Sequence, residues 1–390
     1  MRRLIHEESG ATAILVAILM VVLVGITAFV VDIGDVNWER RMLQNSADAA
    51  ALAVAIDCAQ GDCAGYEATA NSYANANNRR GAFVESVTGP GGVAPTFAGR
   101  EVTVVTRTGD SASPGTLRQY FSAILGQDEG LSTGASATAE WQTVGGAATL
   151  PLTISICEWW QDTTGGTSLP SGETYLAFKN ADPPGQQGAG SGGAGNGNGN
   201  QGQGNAGGSQ GGGAGGSLCE LDVADYPGDL DPNEWPGGLD FPGGFGWLDL
   251  STDPRDAGKC ISRVELGEVG GSVGNPGFPT GGRNDGNSVC NFDYYNSLLN
   301  QTVLLPVHID YEGEGQGATY EITGFAGFKI TGFKLGSGQN LVAPSGFNCP
   351  FGSGNNAVCI RGTFESFVAS DATPSSDAID LGALTVRLIR

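Results

Sequence analysis

The chain has 390 residues, with 41 Asp and Glu against 19 Lys and Arg, a formal net charge of -22. That balance argues against nucleic acid or anionic lipid as a partner, since either demands clustered cations. The 65 Gly and 18 Pro make the chain turn-rich, and its length leaves room for two ordinary domains beyond an anchor.

From Ala11 to Val31 no residue is charged. About 21 residues at 1.5 Å rise span roughly 31 Å, the thickness of a bilayer's hydrocarbon core. A cleavable export signal has a shorter apolar core, roughly 7 to 15 residues, and the small-residue triplet Ala53 to Ala55 lies too far downstream to be its cleavage site. The expectation is an uncleaved signal anchor: residues 1–10 before the span, 11–31 within it, and a helical stalk over 32–60. Arg2 and Arg3 precede the span while Arg40 and Arg41 follow it closely, so positive charge does not decide its orientation. Cysteine does. All 8 lie beyond residue 57, an even number in a Gly-rich region, as an oxidising compartment allows. The reading is a single-pass cell-membrane protein with a cytoplasmic N-terminus and its bulk outside, with Asp32, Asp35, Trp38 and Glu39 just past the bilayer.

Beyond the span Val36, Leu43, Ala47, Ala50 and Val54 recur at helical spacing and share one face, suited to packing against a neighbour. Alanine dominates Ala47 to Ala55, so the helix continues to about Ile56, and Gly61 offers a stop. The order of residues here is Glu8, Gly10 and Ala11, an apolar span, Asp32, then Arg41, Leu43 and Gln44, then Ala47, Asp48, Ala49, Ala50, Ala51, Leu52 and Ala53. This order resembles the N-terminal segment of the Tad-type (tight adherence, Flp) pilus-assembly proteins of the TadE/TadG-like group. The resemblance implies a pilus-assembly role, with other Tad proteins met through the transmembrane and stalk helix. Leu15 stands where prepilins carry a Glu, so it does not imply prepilin-peptidase processing. No Asp-x-Ser-x-Ser turn occurs either, so a metal-dependent adhesion domain is not implied.

The resemblance further implies a short polar helix over 66–78, and the residue pattern predicts a strand over 102–106, an amphipathic helix over 117–126 and a strand over 135–141. A further strand is expected from the alternation of Leu150, Leu152, Ile154 and Ile156. Together they predict a small α+β ectodomain over 61–183. Residues 184–217 are nearly all Gly, Asn, Gln, Ser and Ala and read as a flexible linker. From 218 to 390, short apolar runs between Gly-rich turns predict an antiparallel, β-rich domain, with strands at 302–309, 320–325, 328–335, 357–368 and 384–389. The fold class is therefore α+β.

Structural disulfides are the expected use of cysteine. Cys58 and Cys63 are placed to clip the end of the stalk helix, and Cys349 and Cys359 to close a loop between strands. For Cys157, Cys219, Cys260 and Cys290 the sequence fixes no pairing. The paired Cys and His spacing of a zinc site is missing, and His308 is the one histidine after the span, at a strand's end, where a structural role is expected. Asp229, Asp231, Asn233 and Asp240 echo a calcium loop, but Glu234 holds the position that should be Gly. Trp159, Trp160, Trp235 and Trp247 are candidates for a glycan platform or for packing, with packing the default. No nucleophile, base and oxyanion set stands out, and no phosphate loop or dinucleotide motif has a strand and helix around it. The expected function is thus non-enzymatic: a membrane-anchored component of a Tad-type pilus or secretion system, without catalytic residues, metal or cofactor. The alternative is an anchored adhesin or glycan-binding module.

Overall fold

The structure, a computed structural model, describes residues 9–110, 113–114, 132–166, 168–179, 218–220, 240–242, 245–270, 289–312, 319–334, 342–349 and 357–389. It is α+β: a long apolar N-terminal helix, few other helices, and a β-rich C-terminal region. The expected helix over 117–126 and the linker over 184–217 lie outside the described residues. Contacts divide the chain into two units, Met1–Trp141 with Val386–Arg390, and Gln142–Thr385.

In the first unit, helix α1 runs Ser9–Ala59 without interruption, 51 residues. It ends where Gly61 takes a left-handed φ of 90°. The Gly61 N–H then reaches the Cys58 carbonyl and the Asp62 N–H the Asp57 carbonyl, both at 3.0 Å, the paired bonds of a Schellman stop. The Cys58–Cys63 disulfide closes the same turn, possible at this spacing because the helix has ended. Helix α2 (Tyr66–Asn77) folds back along α1 and leads into β1 (Ala82–Thr88). Strand β2 (Glu101–Asp110) pairs antiparallel with β1, from Ala82 opposite Thr108 to Thr88 opposite Thr103. Strand β3 (Gly134–Thr149) begins in this unit and pairs with β2, Glu101 opposite Glu140 and Arg107 opposite Gly134. Alternation decides which face is covered: Val102, Val104, Thr106 and Thr108 of β2 and Ala137, Ala139 and Trp141 of β3 are buried. The Thr106 hydroxyl donates to the Leu43 carbonyl at 3.1 Å, fixing β2 against α1.

In the second unit a sheet takes the order β5 (Thr174–Lys179), β8 (Ala357–Glu365), β7 (Thr319–Lys334), β6 (Thr302–Glu312) and β4 (Leu152–Ser155). These pairs are antiparallel except β4 with β6, where Ile154 lies parallel to Val307. The core gathers Trp159, Tyr295, Phe328, Phe333 and Phe364. Disulfides Cys260–Cys290 and Cys349–Cys359 brace it. Two features differ from the sequence reading. Ile156 starts helix α3 (Ile156–Thr163) rather than extending the strand, because the Ser155 hydroxyl caps it by accepting the Glu158 N–H at 3.2 Å. Strands Leu152–Ser155 and Thr174–Lys179, placed by sequence ahead of the linker in the small ectodomain, pair with strands beyond residue 300. Apolar alternation identifies a strand and one buried face, but not its partner.

Candidate functional site where the long helix leaves its apolar half

One continuous helix meets two surroundings. From Ile14 to Val31 the large apolar side chains of α1 are 48 to 73% exposed, and this is the described helix long and apolar enough to cross a membrane. Leaving so many side chains in water forgoes roughly 1.5 to 3 kcal/mol apiece. The sum exceeds the roughly 5 to 15 kcal/mol by which a domain is typically stable, so this half calls for an apolar surround.

Past Ile33 the same helix turns a buried arc into its own unit: Glu39, Leu43, Ser46, Ala47, Ala50, Ala51, Val54, Ala55 and Cys58. Opposite them Ala70 and Ala74 of α2 are also fully buried. Small side chains on both helices let the backbones approach closely. The Thr69 hydroxyl adds a bond to the Asp57 carboxylate at 2.8 Å.

At the start of this arc lies a charged clasp. Asp32, Asp35 and Glu39 are spaced to share a face of α1. The Arg80 guanidinium meets Asp35 as a fork, Nη1 to Oδ2 at 2.9 Å and Nη2 to Oδ1 at 2.8 Å, and stands 4.9 Å from the Trp38 ring centre. Glu39 is fully buried. Its Oε1 accepts from Asn78 Nδ2 at 3.1 Å, while Oε2 has no hydrogen bond and lies 3.9 Å from Arg80 Nη1. The turn carrying these groups is stiff. Asn78 is the extended C-cap of α2, its Oδ1 accepts the Arg80 N–H at 2.9 Å, and Gly81 (φ 88°) reverses the chain into β1. A half-exposed fork contributes little by itself, but a buried carboxylate that loses its partners is costly. Glu39 therefore fixes where the turn must sit.

The other residues singled out in the sequence fall as follows. Leu43, Ala47, Ala50 and Val54 are fully buried and Val36 half-buried. The occupant of this face is α2 and β2 of the same chain. An Ala-rich stripe announces close packing whatever the source of the partner. Gly10 and Ala11 lie within α1 and Glu8 lies outside the described residues. Asp32 and Leu52 are half-buried and Arg41 is exposed. Gln44 Nε2 bridges to Asp48 Oδ1 at 2.7 Å and to the Ser136 carbonyl of β3 at 3.1 Å, so these motif residues tie α1 to the sheet. Asn78, Arg80 and Gly81 were not singled out by sequence; a helix ending in Asn-Arg-Arg-Gly is their only local signal.

In the second unit, burial pushes the pKa of the His308 imidazole down to about 3, leaving it neutral. Its Nδ1 lies 3.1 Å from the Thr153 hydroxyl and its ring 5.0 Å from that of Tyr320, a packed and structural setting. Trp159 is buried and Trp160 packs against the same core, their ring centres 6.3 Å apart, so this pair offers no open platform. Trp235, Asp229, Asp231 and Asn233 lie outside the described residues, as do the side chains of Trp247, Asp240, Cys157 and Cys219. Among the described residues no group of three metal-ligating side chains converges. An open cleft of about 510 Å³ is lined by Asp249, Ser251, Asp253 and Arg263. Most of its charges are committed: Arg263 pairs with Asp256 at 2.6 Å and Arg255 with Asp253 at 2.5 Å, which holds both carboxyls below the usual carboxylate range, while burial pushes the Asp249 carboxyl above it.

Residues 10–57 match the family model described as putative Flp pilus-assembly TadE/G-like, the N-terminal segment that makes up nearly all of α1. No curated protein and no solved structure matches the chain.

Proposed function

We propose that this protein is a non-enzymatic, membrane-anchored component of a Tad/Flp-type pilus-assembly or secretion system. Its N-terminus is cytoplasmic and both folded units are extracytoplasmic. The observation that carries the reading is a coincidence of boundaries. The segment matching the TadE/G-like model ends at residue 57, two residues before α1 itself ends, and takes in both the uncovered apolar half and the clasped half. Because α2 and β2 occupy the Leu43 to Val54 face, contact with other pilus-assembly proteins runs through the uncovered half, from Ile14 to Val31.

Two measurements test this. Full-length protein captured from gently solubilised membranes should bring other Tad pilus-assembly proteins with it, and loss of the gene should abolish Flp-type pili. Normal piliation in its absence, with no such protein recovered, would end the proposal. For orientation, a membrane-impermeant reagent should label an engineered C-terminus in intact cells; labelling only after lysis would reverse it.

A further inference from the structure

We propose that the base of the first unit, formed by Arg40, Arg41, Arg79 and Arg80 around Trp38, is a docking surface for anionic phospholipid headgroups that seats the unit directly on the bilayer. This rests on the membrane anchoring read above. The net charge of the whole chain argues against such a partner; the local arrangement points the other way.

Height along the helix comes first. Asp35 is four residues past Val31, about 6 Å along an unbroken helix, and the headgroup layer is roughly 5 to 7 Å deep on each side. The Arg80 guanidinium, forked on Asp35, therefore lies at the level of the lipid phosphates. Arg79 adjoins it on the same stiff turn. Trp38, 41% exposed beside Arg80, belongs to a residue type that collects at this level. Arg40 and Arg41 start one to two turns higher, on long arms able to reach back toward the phosphates.

Pairing comes second. In this acid-rich chain Arg107 meets Glu85, Arg263 meets Asp256, Arg361 meets Glu173 and Arg387 meets Glu140. Among the described residues Arg41 and Arg79 are exposed and pair with no carboxylate, and Arg40 donates to the Thr133 hydroxyl, at 3.3 Å. The acids at this level offset them only in part: Arg80 is forked on Asp35, which leaves Arg40, Arg41 and Arg79 against Asp32 and Glu39, and Glu39 is buried, accepts from Asn78 and lies 3.9 Å from Arg80. Cations left without acidic partners beside a membrane-crossing segment are matched by phosphate.

The test uses the full chain purified in neutral detergent. Native mass spectrometry counts retained phosphatidylglycerol against phosphatidylcholine, for wild type and for the triple variant Arg40→Gln/Arg41→Gln/Arg79→Gln, which spares the Arg80 clasp. Wild type should retain the anionic lipid preferentially, and the preference should fall about fivefold per arginine replaced. Unchanged hydrogen exchange over 66–88 would show that the unit is still folded. Equal retention of the two lipids by wild type, or an undiminished preference in the variant, overturns the inference. So does loss of the preference in inorganic phosphate but not in chloride of equal ionic strength, which would mark a small-anion site rather than a lipid surface. Release of the protein from membranes by a carbonate wash sinks the anchoring reading and this inference with it, whereas firm retention without lipid preference sinks this inference alone.

Discussion

The two halves of α1 share one backbone and one hydrogen-bond ladder, yet they solve opposite problems. Between Ile14 and Val31 bulky aliphatic side chains stand exposed in every direction; between Leu43 and Cys58 small side chains are buried on one side by α2 and β2. Helix propensity is adequate in both and distinguishes neither. The difference lies in side-chain volume. Lipid packs against any apolar shape, whereas a second helix and a sheet at close range fit only where side chains are small.

The most severe way to break this contrast is Ala50→Asp, which buries an unpaired charge in the clasped half. It should cost about 3 to 5 kcal/mol and abolish hydrogen-exchange protection of α2 and β2. Leu19→Arg attacks the other half. It should cost about 3 kcal/mol of membrane insertion and enlarge the carbonate-extractable fraction, while Asn45→Arg, at an exposed site of the clasped half, should leave that fraction unchanged. A matched pair sharpens the comparison: Ala50→Leu should lower stability by about 1 to 3 kcal/mol through overpacking, and Ala17→Leu should do nothing measurable, both followed by thermal unfolding in detergent. Arg80→Met leaves Glu39 buried without its cation and should cost about 1 to 3 kcal/mol, nearly all from Glu39 because the exposed fork to Asp35 contributes little. Faster exchange confined to the α2–β1 turn is its signature. Smallest is Gly81→Ala, which forces a left-handed residue at φ 88° and should cost about 1 to 2 kcal/mol, with the same local signature.

Local pattern made much of this architecture legible. The apolar run, the alanine tract and Gly61 mark α1 and its stop, and alternation marks β2 and β3. Cys349 and Cys359, ten residues apart, could be matched from the loop between them; Cys260 and Cys290, separated by 30, could not. Spacing put Leu43, Ala47, Ala50 and Val54 on one face without revealing what covers it. The clasp was hidden for the same reason: Asp35 and Arg80 are 45 positions apart and meet only because α2 returns along α1. Burial of Glu39 is likewise a product of that return, and nothing near it in sequence announces it.

The absence of any break in α1 between Ser9 and Ala59 has a mechanical corollary. A joint at the water boundary would let a folded head swivel independently of its root; a rigid rod gripped from Asp35 onward cannot. Any piston stroke, tilt or torque applied to the uncovered apolar portion is passed along the same helix to the first unit, at about 1.5 Å of travel for each residue of axial shift.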